Sequence, residues 1–110
     1  MSVAELAYRL TSSFPKDETY GMTSQIRRAA ASVAANIAEG HGRYSMAAYR
    51  NHLSIARGSA TETLSWLDLL LRTDRLPQDT HDQLASRCDA LVEMLTAQMV
   101  DLERKRATKT

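Results

Sequence analysis

Apolar residues recur along this chain at spacings of three and four, the repeat of a helix that buries one face. The first stripe, Val3, Leu6, Ala7 and Leu10, predicts a helix over 3–13, which Phe14-Pro15 ends because the residue before proline avoids the helical region. Met22, Ile26, Ala29, Ala30, Val33 and Ile37 form a second stripe over 19–40, with Asp17 as its candidate cap and Gly40-His41-Gly42 as a left-handed glycine stop. Ser45 can cap a third helix over 45–73. There Tyr49, Leu53, Ala56, Ala60, Leu64, Leu67 and Leu71 make the seam, and Ile55, Trp66 and Leu70 widen it beyond one face. Pro77 suits the first turn of a fourth helix over 77–105, carrying Leu84, Cys88, Leu91, Leu95, Met99 (or Gln98) and Leu102, with the basic end from Arg104 expected to fray.

Helices two to four would be roughly 30 to 40 Å long, and connections of a few residues force neighbours to run antiparallel. The prediction is an all-α, antiparallel up-down-up-down four-helix bundle, a single domain over 1–110. Its short first helix cannot cover the length of its partners. Part of a groove then stays open, and another subunit could close it. Small residues strengthen this expectation: Ala29, Ala30, Ala31, Ala34 and Ala35 cover two faces of the second helix, and Gly58 costs about 1 kcal/mol mid-helix unless another backbone crosses there.

Composition agrees with helix. The 110 residues are 44% hydrophobic and only 5% aromatic, with four glycines and two prolines, too few strand and turn formers for an all-β chain. One cysteine, Cys88, excludes an internal disulfide and fits a reducing, cytoplasmic setting. No apolar run approaches the roughly 20 residues of a bilayer span, and Glu5 and Arg9 interrupt what a secretory signal would keep apolar.

The formal net charge of +1 names no partner by itself, yet charge is uneven. Between positions 19 and 58 stand Arg27, Arg28, Arg43, Arg50 and Arg57 against one acid, Glu39. Arginine's planar fork suits phosphate or carboxylate, so this half could meet an anionic polymer or serve ion pairs. Arg43, Arg50 and Arg57, seven apart, would share one face of the third helix, and Asn36, Glu39 and Arg57 could form a network that fixes register.

Catalytic chemistry finds little footing. His41, His52, His81 and Cys88 lack metal-ligand spacing. Gly40-x-Gly42 follows a helix and lacks the lysine of a phosphate loop. Ser32 or Ser59 has no assembled base and orienting group, and Cys88 sits at an apolar position where an inert thiol is expected. The expectation is no enzyme, no catalytic residue, no metal and no cofactor.

The run Tyr20-Gly21-Met22-Thr23-Ser24-Gln25-Ile26-Arg27-Arg28-Ala29-Ala30, followed by Ser32-Val33 and Asn36-Ile37-Ala38-Glu39-Gly40, resembles the four-helix-bundle proteins encoded in 23S ribosomal RNA intervening sequences. The likeness continues through Gly42-Arg43, Tyr49-Arg50, Leu53, Ile55-Ala56-Arg57-Gly58-Ser59 and Glu62, and upstream through Phe14-Pro15-Lys16-Asp17-Glu18. The resemblance implies a bacterial, cytosolic, ring-forming homopentamer related to the accessory protein of diversity-generating retroelements, which binds RNA and a reverse transcriptase through a basic surface. Carried over, it makes Arg27, Arg28, Arg43 and Arg50 candidate nucleic-acid contacts. Asn36, Glu39, Gly40, Arg57, Gly58 and Glu62 become determinants of fold and assembly, to which the residues themselves add Trp66. Two departures stand out: the first helix lacks the longer amino-terminal stretch usual in the family, and Ala34 replaces a common proline, which straightens the second helix.

The functional expectation is a non-enzymatic homo-oligomer that binds structured RNA or DNA through arginines. The alternative is a protein-binding scaffold whose arginines serve intersubunit ion pairs while Asp82, Asp89, Glu93 and Asp101 of the fourth helix face a partner protein.

Overall fold

The structure, a computed structural model, describes residues 2–12, 21–43 and 45–109. Among them are four helices and no strand: α1 (Val3–Thr11), α2 (Met22–His41), α3 (Met46–Arg72) and α4 (Gln78–Lys109). Ser2 caps α1 by accepting the Glu5 backbone N–H at 3.1 Å, and Ser45 caps α3 through the Ala48 N–H at 3.0 Å. Pro77 precedes α4 and its carbonyl accepts from the His81 N–H at 3.0 Å, which starts the helix without needing the donor that proline lacks. Asp17, the expected cap of α2, lies outside the described residues.

Three boundary expectations change. Neither Gly40 nor Gly42 is left-handed; α2 runs on to His41 and closes at Gly42 with φ −87°. Gly40 serves a close approach instead, since a Cβ there would lie 2.9 Å from Tyr49 Cδ1 and 3.2 Å from His52 Cβ on α3. Among the described residues the left-handed one is Asp74, φ 58°, after α3. There Asp74 N–H bonds the Leu71 carbonyl (3.2 Å) and Arg75 N–H the Leu70 carbonyl (2.9 Å), the paired bonds of a Schellman stop. Finally, α4 continues through the basic end to Lys109. Leu102 is buried there, Lys105 pairs with Asp101 at 3.1 Å, and cations at a helix C-terminus complement its dipole.

α2 packs on α3 and α3 on α4, while α1 bridges α2 and α4; neither diagonal pair makes a close backbone approach among the described residues. The result is a rod of 53 × 22 × 20 Å. Residue partners rise along one helix as they fall along the next: Arg28 with Glu62, Ser32 with Ser59 and Asn36 with His52, then Arg50 with Glu103, Arg57 with Thr96 and Asp68 with His81.

The core divides where α1 ends. One cluster joins Val3 and Ala7 of α1 to Ile26, Ala30, Leu67, Leu70, Leu84 and Cys88, with Trp66 packed against it. The other, Leu53, Ala56, Leu95, Met99 and Leu102, lies beyond α1 and is closed by α2, α3 and α4 alone. Full burial of a leucine such as Leu53, Leu67 or Leu95 stabilises by about 2 kcal/mol. Trp66 and Leu70, expected as apolar surplus on the third helix, are covered from within: Leu70 is 1% exposed and Trp66 is half-buried. Among the described residues the large apolar side chains left exposed are Tyr8, Ile55, Leu69, Met94 and Val100.

Candidate functional site

Polar residues gather along two seams. Between α2 and α3, Ser59 Oγ donates to Ser32 Oγ (2.8 Å), and Asn36 Nδ2 donates to Ser32 Oγ (3.0 Å) and to the Ser32 carbonyl (2.9 Å). Asn36 Oδ1 faces His52 Nδ1 at 3.1 Å, Arg43 Nε donates to His52 Nε2 at 3.2 Å, and Arg43 Nη2 reaches Glu39 Oε2 at 3.0 Å. A guanidinium only donates, so His52 Nε2 must accept and the ring proton sits on Nδ1, aimed at the asparagine oxygen. Every link is satisfied, which makes this chain a register clamp.

The expected triad of Asn36, Glu39 and Arg57 is therefore rearranged. His52, considered in the sequence only as a metal ligand, joins Asn36 to the Arg43–Glu39 pair, while Arg57 turns to α4 and donates to Thr96 Oγ1 at 3.3 Å. Nor do Arg43, Arg50 and Arg57 share a face of the third helix, because Arg43 precedes the Ser45 cap and folds back onto α2.

The four candidate nucleic-acid contacts are all engaged inside the chain. Arg27 is half-buried, donates from Nε to Thr11 Oγ1 at 2.7 Å and lies 4.5 Å over the Tyr8 ring, fastening α1 to α2. Arg28, 65% exposed, bonds Gln25 and pairs with Glu62 at 3.4 Å. Arg50 Nε lies 2.7 Å from Glu103 Oε1 on α4. Arg28 and Arg43 sit some 15 residues apart, roughly 20 Å along α2, so the structure does not bring the four into one patch.

The α3–α4 seam also holds His81, whose Nε2 and Nδ1 lie 2.8 Å from Asp68 and 2.9 Å from Asp82. Hydrogen bonds to Asp82 and then Asp68 raise its pKa against a smaller opposing effect of burial, and His81 in turn lowers that of Asp82. Cys88 is fully buried, and desolvation, with a smaller contribution from the Asp89 charge, pushes its thiol up to about 11, an inert group at neutral pH. His41 stacks at 5.4 Å on Tyr49. Among the described residues no group of three His, Cys, Asp or Glu side chains is placed to hold a metal, and no helix is long and apolar enough to cross a membrane. Ser32 and Ser59 bond each other, with no imidazole on either hydroxyl.

Among the described residues, one concavity is lined almost wholly by apolar side chains. Beside the start of α1, where α2 and α4 lose their cover, a groove of about 360 Å³ opens between Val33, Ala34 and Ile37 on one side and Ala90, Leu91 and Met94 on the other. The short first helix foretold such a gap, but not Met94 at its rim. The signal for Met94 was available in its place one position before Leu95 of the core stripe, on the shoulder of the buried face.

The family described as 23S rRNA-intervening sequence protein matches residues 1–97 of this chain. A solved structure of a protein of unknown function from the S23 ribosomal protein family of Bacteroides thetaiotaomicron VPI-5482 superposes with a TM-score of 0.77 at 28% identity, covering 88% of this chain and 94% of that one. No curated protein matches.

Proposed function

This chain belongs to the family of 23S rRNA-intervening sequence proteins, and we propose that it is a non-enzymatic, self-associating scaffold of the bacterial cytoplasm. In this reading it is one domain, an antiparallel up-down-up-down bundle, as the opposed numbering of the partners along each seam supports. Copies associate into a ring, with five subunits the number the family resemblance implies. The observation that carries the proposal is the uncovered apolar groove between α2 and α4 beside α1. Apolar side chains of a second copy would gain by leaving water in such a groove. The arginine pairings point the same way, because side chains spent on joining helices favour a structural role over a pooled phosphate-binding surface.

Multi-angle light scattering at micromolar concentration tests it. A mass that is a multiple of 12.2 kDa supports the scaffold, and 12.2 kDa itself refutes it.

Binding to structured RNA or DNA is the second reading, favoured by a different set of cations from those expected. Arg104 and Arg106 are exposed at the end of α4, and the Arg50–Glu103 pair ties that end to the Arg43 turn. RNA affinity that falls with salt and with Arg104→Ala and Arg106→Ala supports this reading; none at low salt removes it.

A further inference from the structure

We infer that Met94 is an oxidation-sensitive residue of the α2–α4 groove, whose conversion to the sulfoxide by a peroxide turns the groove polar and releases a copy seated there. The inference rests on the self-association proposed above and adds a means of reversing it. Sulfur in this chain is carried by five methionines and Cys88, with Met1 outside the described residues. Cys88 is closed to oxidants on two counts: it is fully buried, and a thiol held up at about 11 supplies almost none of the thiolate that peroxides react with. Met99 is 3% exposed inside a core cluster, and Met22 and Met46 are half-buried against the two clusters. Met94 differs. It is 47% exposed, belongs to neither cluster and lines the groove beside Ala90 and Leu91. A thioether needs no ionisation to react, so access to the sulfur decides which methionine is oxidised first.

Hydrogen peroxide alone balances the step. A lone pair of Met94 Sδ attacks one peroxide oxygen, the S–O bond forms as the O–O bond breaks, and the departing hydroxide takes the proton from the sulfur-bound oxygen as water. Sulfur loses two electrons and peroxide gains them. The new oxygen is a strong acceptor, and the groove has little to offer it. The polar side chains that line it are Ser2 and Arg87. The Ser2 hydroxyl already donates to Glu5 Oε1 at 3.2 Å, and Arg87 stands seven residues back along α4, about 10 Å, with a partner of its own within the chain. In the open groove the sulfoxide keeps its water and the protomer keeps its core. An apolar surface closing over it would strip that water away and leave the acceptor unpaired, which weakens binding by about tenfold or more. A seated copy also covers the thioether, so association and oxidation oppose each other.

The test treats the full-length wild type and Met94→Leu with hydrogen peroxide, maps oxidised peptides by mass spectrometry and follows mass by light scattering over a concentration series. In the wild type Met94 should gain oxygen about tenfold faster than Met99, with Cys88 unchanged, and more slowly as protein concentration rises. The concentration at half-dissociation should then rise about tenfold, helix content should hold, and reduction of the sulfoxide by a methionine sulfoxide reductase should restore the original value. Met94→Leu keeps the bulk without the sulfur, so it should associate as the wild type does and ignore peroxide. Three results overturn the inference while self-association stands: Met22, Met46 or Met99 oxidised as fast as Met94, unchanged association once Met94 is fully oxidised, or Met94→Leu dissociating equally under peroxide. A wild type that is monomeric before peroxide is added removes self-association and the switch together.

Discussion

Gly40 and Gly58 both stand inside helices, and the same substitution by alanine should move stability in opposite directions. Alanine gains about 1 kcal/mol over glycine in a helix interior through the unfolded chain's lost freedom. At Gly58 nothing opposes that gain, since the new methyl meets open space within the chain. At Gly40 the methyl would sit 2.9 Å from Tyr49 Cδ1 and 3.2 Å from both His52 Cβ and Tyr49 Cε1, against an ordinary contact near 3.5 to 4.0 Å. The ring edge can tilt, but His52 Cβ is fixed to the α3 backbone and its imidazole is held between Asn36 and Arg43. Overpacking of this kind costs about 1 to 3 kcal/mol. Gly40→Ala should therefore be neutral to destabilising by about 2 kcal/mol and Gly58→Ala stabilising by about 1 kcal/mol, a gap of about 1 to 3 kcal/mol. Urea unfolding followed by circular dichroism, repeated over a range of protein concentrations to separate folding from association, measures both. Equal stabilisation by the two substitutions would refute the close approach of α2 and α3 at Gly40.

His81 joins α3 to α4 as a cation between two carboxylates, and its raised pKa fixes the sign of its pH dependence. Its contribution is complete below the ordinary value of 6.5 and fades as pH rises through the higher folded value; that of Asp82 is complete above 3.8 and fades as pH falls through its lowered one. The difference in Tm between wild type and His81→Gln should thus be largest near pH 5 to 6 and shrink towards pH 9, and a difference that grows with pH contradicts the clasp. At the α3 stop, Asp74 holds φ 58°, where any side chain costs energy, so Asp74→Gly should raise Tm by roughly 4 °C, about 1 kcal/mol. A fall in Tm would mean that the Asp74 side chain contributes more than its backbone strain costs.

How much of this was legible in the sequence follows from the range of each interaction. The helices were, because a stripe of three and four needs only neighbouring residues, and the short α1 with its gap followed from counting. Glycine was ambiguous. Gly40 and Gly42 beside a break read as a left-handed stop, whereas the stop of that kind falls on Asp74, and Gly40 is needed for a contact with a helix that begins six residues later. The pairing of the arginines was hidden for a related reason. A local tally counts five cations and one acid, but Glu62 and Glu103, which hold Arg28 and Arg50, lie 34 and 53 positions away and enter the balance only once the helices are packed. Trp66 and Leu70 looked like surplus until packing placed them in and against a core cluster that draws on all four helices.

What the polar residues do instead connects the two halves of the functional reading. Sliding α2 against α3 by one turn would move each pairing by about 5.4 Å, breaking Arg28–Glu62, Ser32–Ser59 and the Asn36–His52–Arg43 chain together. That same slide would carry the groove wall formed by Val33, Ala34 and Ile37 out of register with Ala90, Leu91 and Met94 opposite. Residues that carry no chemistry of their own thus hold the two walls of the groove level with each other. Substitution in the clamp should then weaken the association proposed for the groove as well as folding, and Asn36→Leu is the sharpest case because it removes the link to His52 while adding apolar bulk to α2.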